Sequence, residues 1–418
     1  MGLDNPAASS MLMLVRLAWR NIFRCGRRTL LSALAIGLGM AALIFTDAFT
    51  IGMEESVIRT ATDTFLGQGQ IHAEGFRSTY EVERTVRNRE TLLAALGRDP
   101  QVASFAPRSL THGMLTSAAN VSSVLLCGID PEREREVSKI DEAIVRGAYL
   151  EAGIAGRMLV GAKLAETLDV GLGDRLVVTV AQAESGALAQ EMFRVGGIFR
   201  FNVRDMDAGV VFVDLSAAQE LSGLGAEVHE IALHFDDIAM AGDPELELWR
   251  RYGQDGNEIL GWKELLPALD AVLEMSNLSM LILSIILFAV VALTIVNTLL
   301  MSLYERMFEF GMLRAMGTRP RRLALLIFLE VASLALVSVA VGSVLGLAVT
   351  AIFAEYGIDY VGIEMAGVTL RELIYPVAAA RQFVIFPLMV LAFALVAGIY
   401  PAVLAARVEP VEAMRKGF

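Results

Sequence analysis

The chain is poor in the residues that build metal centres and disulfide frameworks. Only two cysteines, Cys25 and Cys127, and four histidines occur among its 418 residues. Two cysteines cannot form a four-cysteine zinc site or a disulfide-rich scaffold. His229 and His234 come nearest to a zinc motif, but their spacing does not place both on one helical face. We therefore expect no metal in this chain.

Motifs for nucleotide binding and for nucleophilic catalysis are also missing from the sequence. No G-x-x-x-x-G-K-[ST] phosphate loop and no G-x-S-x-G nucleophile turn is present. Gly67 and Gly69 lack the third glycine of a dinucleotide-binding loop and indicate a turn. The chain is thus expected to be non-catalytic, with no cofactor of its own.

Positive charge is scarce overall, and its distribution is uneven. The formal charge is −12, which argues against a nucleic-acid partner. Residues 54–277 alone hold 36 acidic and 20 basic side chains, so the rest of the chain is net positive. The acidity belongs to one segment.

Apolar residues make up 55% of the chain, above the usual ~45 to 50%. Four stretches reach the ~20 apolar residues that a bilayer-spanning helix needs. They are predicted as spans at residues 30–53, 278–303, 323–353 and 383–404.

The arginines near these stretches predict the orientation, because cytoplasmic loops are enriched in Lys and Arg. Residues 1–29 and 304–322 are arginine-rich, and the tail 405–418 also carries basic residues, so all three are expected in the cytoplasm. Residues 54–277 and the loop 354–382 are then expected outside. The predicted fold class is a membrane α-helical protein with four transmembrane helices plus a large extracytoplasmic mixed α+β domain. Residues 1–29 should form an amphipathic helix at the interface.

Within the outer domain, alternating patterns predict several strands and helices. Strands are expected at 175–181, 191–201, 210–213 and 230–235, and helices at 91–96, 162–168 and 216–221. The run Glu132–Glu136 alternates in charge and is predicted to be a solvated helix face.

Few polar residues fall inside the predicted spans. Asp47, Asn297 and Glu330 are the candidates for intramembrane polar groups, and Glu330 is expected to be neutral, snorkelling or paired across a helix seam. Gly37 in the first span and Gly342 and Gly346 in the third predict close helix packing.

The loop 304–322 is the most informative segment. As a helix it places Phe308, Met312 and Ala315 on one side, and it should end at Gly317 with Pro320 just beyond. A short amphipathic helix of this kind suits docking into a groove of another protein.

Three segments resemble the MacB, LolC/LolE and FtsX group of ABC transporter permeases. They are Ala18-Trp-Arg-Asn-Ile-Phe-Arg before the first span, Glu305-Arg306 to Met316-Gly317 in the loop, and Tyr400-Pro401-Ala402 through Ala413 after the fourth span. In the outer segment, Gly128-Ile-Asp-Pro131 and Gly171-Leu-Gly-Asp174 are similar to LolC/LolE.

This resemblance implies a bacterial inner-membrane permease subunit, multi-pass, with both termini cytoplasmic and the large domain periplasmic. Its implied partners are a cytoplasmic ABC ATPase dimer that binds ATP and Mg, a second identical or different permease subunit, membrane lipid, a lipoprotein substrate and a periplasmic carrier. The implied ATPase contact is formed by the following loop residues: Glu305, Arg306, Phe308, Glu309, Leu313, Arg314, Met316 and Gly317.

The implied activity is the transmission of ATP-driven motion to the periplasmic domain, which releases lipoproteins from the inner membrane toward the outer membrane. Two alternatives stay open at this point. One is MacB-like efflux of peptides or small amphiphiles from the periplasm, and the other is FtsX-like regulation of a cell-wall hydrolase.

Overall fold

The computed structural model describes residues 16–20, 26–154, 156–183, 185–236, 238, 240–243, 245–365, 368–370 and 372–407. Most of the predicted N-terminal helix, Cys25 and the end of the tail lie outside the described residues. The chain divides into two units. The membrane unit comprises residues 1–54, 274–359 and 373–418, and the α/β unit comprises 55–273 and 360–372.

Four helices are long and apolar enough to cross a membrane. They are α1 (Gly26–Ala61), α10 (Pro267–Glu305), α12 (Pro320–Tyr356) and α13 (Gln382–Ala406). Each contains one of the four predicted spans and extends beyond it. A further helix, α11 (Met307–Ala315), lies between α10 and α12.

Apolar side chains from all five of these helices form the core of the membrane unit. Met40 and Ile44 of α1 contribute to it, as do Ile295 of α10 and Val331 of α12. Because lipid gives no hydrophobic contrast between helices, close packing must hold them together. One close backbone approach joins α1 to α12, where a Cβ added to Gly342 would lie 2.9 Å from the carbonyl oxygen of Gly37. Gly346 is equally confined, since its added Cβ would lie 2.9 Å from Ile44.

The α/β unit contains short helices and one large sheet. Its helices are α2 (Phe76–Thr79), α3 (Arg89–Leu96), α4 (Pro131–Val137), α5 (Ala162–Leu168), α6 (Arg204–Gly209), α7 (Leu215–Ser222), α8 (Glu247–Tyr252) and α9 (Trp262–Leu265). Its sheet strands are β1 (Gly69–Ala73), β2 (Val102–Thr116), β3 (Val121–Ile129), β4 (Ile144–Gly147), β5 (Arg157–Gly161), β6 (Arg175–Ala181), β7 (Leu188–Phe199), β8 (Val210–Asp214), β9 (Glu230–Phe235) and β10 (Asn257–Gly261). A two-stranded ribbon, β11 (Glu364–Met365) with β12 (Val368–Thr369), is separate from that sheet.

Six of the strands close into a ring, which removes their free edges. The ring runs β2-β3-β8-β5-β7-β6 and back to β2. On one face of these strands the alternating side chains are apolar and buried in one cluster with helices α5 and α7, such as Leu126, Val160, Val178 and Phe193. Strands β9, β1 and β10 extend the sheet from β2.

The predicted strands and helices of this unit are confirmed, with small shifts at their ends. Strands β6 and β9 and helix α5 match the predicted bounds. The fold class, four apolar helices with a mixed α/β domain, is confirmed as well.

The prediction of a solvated face for the run Glu132–Glu136 is wrong at its centre. Glu134 on α4 is fully buried, and its carboxylate takes two hydrogen bonds from Arg108, at 2.6 and 3.0 Å. Arg108 Nη1 also donates to Glu230 Oε1 at 2.7 Å, and Glu230 Oε2 lies 3.1 Å from His72 Nε2. The alternating charges gave no sign that one of them has a partner in the core.

The Arg108 guanidinium is therefore the centre of a buried ionic cluster with Glu134, Glu230 and His72. Burial by itself raises the pKa of Glu230, but the hydrogen bond from His72 and the charge of Arg108 outweigh it and lower that pKa to about 2. Both carboxylates are thus paired and hydrogen-bonded. Removing the shared cation would leave two buried negative charges uncompensated.

We predict that Arg108→Ala destabilises the α/β unit by about 3–5 kcal/mol, because it strands the two carboxylates. Thermal unfolding of the purified full chain measures this as a lowered midpoint. Arg98→Ala, at an exposed position in the same unit, is the control and should change little. Equal midpoints for the two variants would contradict the importance of the cluster.

Candidate functional site

Helix α11 forms a short platform between the second and third membrane helices. It begins after Arg306, where α10 has ended, and is followed by Gly317, whose φ of +91° suits glycine. Pro320 then occupies the first turn of α12. The sequence thus separates α11 from α10 at Arg306 and from α12 at the residues between Gly317 and Pro320. These two breaks define where α11 begins and ends.

The two faces of α11 differ in exposure. Phe310 is 2% exposed and packs in the core of the membrane unit, and Leu313 packs against the same core. On the other face Phe308, Met312 and Met316, spaced four residues apart, are 45%, 43% and 70% exposed. Three large apolar side chains on one exposed helical stripe are typical of a docking surface.

An ion-pair network ties α11 to α12. Arg306 Nη1 donates to Glu330 Oε2 at 2.6 Å, and Arg306 Nε donates to Glu309 Oε2 at 3.1 Å. The guanidinium also lies over the ring of Phe310, 5.1 Å from its centroid. Glu330, on the third membrane helix, therefore has an arginine as its counter-charge. The network holds the beginning of α11 against α12.

The predicted ATPase-contact residues differ in their exposure in the structure. Glu305, Phe308, Met316 and Gly317 are exposed. Arg306, Leu313 and Arg314 are half-buried. Arg306 is bonded to Glu330, and Leu313 packs against the core of the membrane unit. Glu309 joins the ion-pair network while its side chain stays 44% exposed. Met312 was left out of the predicted contact, although its four-residue spacing from Phe308 and Met316 was a usable signal.

A second feature of the membrane unit is a cavity of about 380 Å³ lined by α1, α10 and α13. Most of its wall is apolar and includes Leu43, Leu281, Ile285, Phe288 and Met389. Leu281 and Ile285 are more than half exposed on α10. A cavity of this size and composition suits an apolar chain with a small polar head.

Polar groups gather at one part of this cavity. Asp47 Oδ2 accepts a hydrogen bond from Gln382 Nε2 at 2.8 Å and lies 3.7 Å from Arg381 Nη2. Glu54, two turns further along α1, also lines the cavity, beside Asn277 of α10. Its Oε1 atom is buried and has no hydrogen-bond partner.

The three predicted intramembrane polar residues are not brought together. Asp47 lies in the cavity, Glu330 binds Arg306, and Asn297 is exposed on α10. Glu54 was missed because it lies at the predicted boundary between the first span and the outer domain. The packing glycines Gly37, Gly342 and Gly346 all lie on the contact between α1 and α12.

No group of three or more potential metal ligands occurs among the residues that the structure describes. His229 is buried and bonded on both ring nitrogens, to the amide of Leu110 and the carbonyl of Val82. Burial lowers the pKa of His229, which fits a neutral core residue. The two features of the membrane unit are thus an exposed apolar stripe on α11 and a largely apolar cavity of about 380 Å³.

Four long apolar helices, a separate α/β unit and the short helix α11 define the class of this protein. It is a multi-span membrane protein with one large α/β domain. Two family models match this chain: the MacB-like periplasmic core domain at residues 29–241 and the FtsX-like permease C-terminal at residues 281–410. The first model alone spans just over half of the chain. The chain belongs to this family of permeases with a MacB-like periplasmic core domain.

Curated relatives match along most of the length. The chain is 25% identical over 397 residues to "Lipoprotein-releasing system transmembrane protein LolC" of Xylella fastidiosa strain Temecula1, covering 92% of each chain. It is 21% identical over 395 residues to the corresponding LolE of Haemophilus influenzae, covering 92% of this chain and 93% of that one.

Two solved structures are also similar. The periplasmic region of MacB from Actinobacillus actinomycetemcomitans gives a TM-score of 0.34 at 12% identity, covering 48% of this chain and 90% of that one. The extracellular domain of the noncanonic ABC-type transporter YknZ from Gram-positive bacteria gives a TM-score of 0.32 at 12% identity, covering 46% of this chain and 98% of that one.

We predict that Arg306→Gln lowers the thermal midpoint of the purified full chain, because it leaves the part-buried Glu330 carboxylate without its cation. The loss should be on the order of 1–3 kcal/mol, the usual cost of removing the hydrogen-bond partner of a buried polar group. Adding Glu330→Gln should recover much of the loss, since the second change removes the unpaired charge.

The exposed pair Lys163–Glu166 serves as the control for this cycle, and its coupling should be below about 1 kcal/mol. Additive effects of Arg306→Gln and Glu330→Gln would show that the two side chains do not interact.

Proposed function

We propose that this chain is the permease subunit of an ABC transporter and that it releases lipoproteins from the bacterial inner membrane toward the outer membrane. The relatives with full-length similarity are named as lipoprotein-releasing transmembrane proteins. The family membership supports the permease role.

The observation that carries this proposal is the exposed stripe of α11. Phe308, Met312 and Met316 present apolar surface that nothing in this chain covers among the described residues. A separate cytoplasmic ATPase dimer, which would bind the ATP and Mg, is the partner we assign to this stripe. The Arg306 network would then transmit a push on α11 into α12 rather than allow α11 to move alone.

Long helices suit the transmission of this motion. Helix α1 is continuous from Gly26 to Ala61 and α10 from Pro267 to Glu305. At 1.5 Å per residue each extends more than ~50 Å, well beyond a bilayer core of ~30 Å. An axial or tilting displacement at one end of such a helix reaches the other end without a polar channel through the lipid.

The orientation proposed here has both termini and α11 in the cytoplasm and the α/β unit in the periplasm. The arginines of the loop support it: Arg306, Arg314, Arg319, Arg321 and Arg322 lie between the second and third spans. The chain itself would be non-catalytic, and a second permease subunit and a periplasmic carrier would complete the system.

The cavity between α1, α10 and α13 is the proposed entry for the lipid part of the substrate. Its apolar wall suits acyl chains, and exposed side chains of α10 continue that surface outside the cavity. An acyl chain leaving the bilayer would exchange one apolar environment for another, so seating it costs little.

The proposal predicts ATP-dependent release of a lipoprotein from proteoliposomes that contain the full chain, its ATPase and any second subunit. Phe308→Asp should reduce release and ATPase co-purification about tenfold or more, because a charge would be placed in an apolar contact. Release is measured as lipoprotein transferred to a soluble carrier.

Val121→Asp is the matched control, since Val121 is 53% exposed in the α/β unit and lies in a different part of the chain. It should leave ATPase co-purification unchanged. Absence of release with an active ATPase would contradict lipoprotein release. Export of a soluble peptide, or activation of a cell-wall hydrolase, would instead favour an alternative role for the permease.

A further inference from the structure

The unpartnered oxygen of Glu54 in the cavity calls for a ligand. Glu54 Oε1 is shielded from solvent and has no hydrogen-bond partner. A carboxylate oxygen without a donor is costly in such a place, because it loses water and gains nothing in exchange. The atom is an acceptor, so the missing group is a hydrogen-bond donor.

The neighbouring carboxylate is already satisfied. Asp47 Oδ2 accepts from the Gln382 amide and has Arg381 at 3.7 Å as a counter-charge. Arg381 is 62% exposed on its side chain and faces Asp47. Glu54 shares a side-chain hydrogen bond with Asn277, so its Oε1 is left as the carboxylate oxygen without a donor among the described residues lining the cavity.

The formal charges of the lining residues point to a cation. Two carboxylates, Asp47 and Glu54, face one guanidinium, Arg381, and every other lining side chain is uncharged. Asn277 and Ser284 line the same cavity and offer further oxygen acceptors. A primary ammonium brings three donors and one positive charge, which matches this set of acceptors.

We propose that the cavity binds amphiphiles whose head group carries a primary ammonium, with Glu54 as the residue that accepts its hydrogen bond. This inference rests on the proposed function and specifies the head group that the amphiphile cavity selects. The ammonium lies against Glu54 and Asn277, while the acyl part packs on Leu281, Ile285 and Phe288. At about 380 Å³ the cavity holds the head and the beginning of a chain, and the rest of the chain stays in lipid.

Two natural sources provide this chemistry: the free α-amino group of a diacylated lipopeptide and the ethanolamine of an aminophospholipid. Two matched probe pairs separate them. The first pair is S-(dipalmitoylglyceryl)cysteinamide and its N-acetyl derivative. The second is dioleoylphosphatidylethanolamine and dioleoylphosphatidylcholine.

The experiment measures binding of each probe to the purified full chain in detergent micelles by native mass spectrometry. Wild type should bind the amine member of at least one pair about tenfold more tightly than its blocked partner, the value of a charge-assisted hydrogen bond. Preference within the first pair identifies a lipopeptide, and preference within the second identifies an aminophospholipid.

Glu54→Gln should abolish that preference while leaving the blocked probes bound as before. Glu55→Gln is the matched control. Glu55 is the next residue of α1, does not line the cavity, and pairs with Arg59 at 2.7 Å. This variant should keep the wild-type preference.

Equal binding of amine and blocked probes to wild type, or a preference that survives Glu54→Gln, would overturn the assignment of Glu54. In both cases the proposed function stands, since an amphiphile still binds. Failure of wild type to bind any of the four probes would overturn both the ammonium assignment and the use of this cavity by an amphiphile.

Discussion

The absence of water in the bilayer core is the constraint on which the membrane unit depends. Backbone groups there must be satisfied within helices, and charged side chains are costly. The ion pairs of this unit accordingly lie toward the ends of the spans. Arg306 and Glu330 pair where α10 gives way to α11, and Asp47 pairs with Arg381 at the beginning of α13. Asn277 of α10 and Arg306, directly after the end of that helix, mark the two regions, which are about 40 Å apart at the helical rise. Apolar packing connects these two polar regions.

The parts of the fold that the sequence predicts are those that local patterns determine. An apolar run of sufficient length has one structural solution in lipid, so the four spans were predictable. Strands β6 and β9 have the alternation or apolar content that indicates a strand. The closed six-stranded ring was not predictable, because it depends on pairings such as β6 with β2, which lie far apart in sequence. The burial of Glu134 depends on Arg108 and is likewise a property of tertiary contacts.

In the candidate site, too, local patterns predict some features and tertiary contacts determine the others. Composition and spacing identified α11 as an amphipathic platform, and the exposure of Phe308 and Met316 follows from helical periodicity. Periodicity could not show that Arg306 turns toward Glu330, since that contact joins two helices. Glu54 could not be distinguished from Glu55 by sequence. Only the packing of α1 against α10 and α13 places one carboxylate in the cavity and leaves the other beside Arg59.

The proposed topology places α11 and the α/β unit on opposite sides of one membrane. The most direct measurement uses single cysteines at Met316 and Leu188, exposed positions on α11 and in the α/β unit, with both natural cysteines replaced by alanine. A membrane-impermeant maleimide is added to spheroplasts and to lysed membranes. We predict labelling at position 188 in both preparations and at position 316 only after lysis. Labelling of both positions in intact spheroplasts, or of position 188 only after lysis, would contradict it.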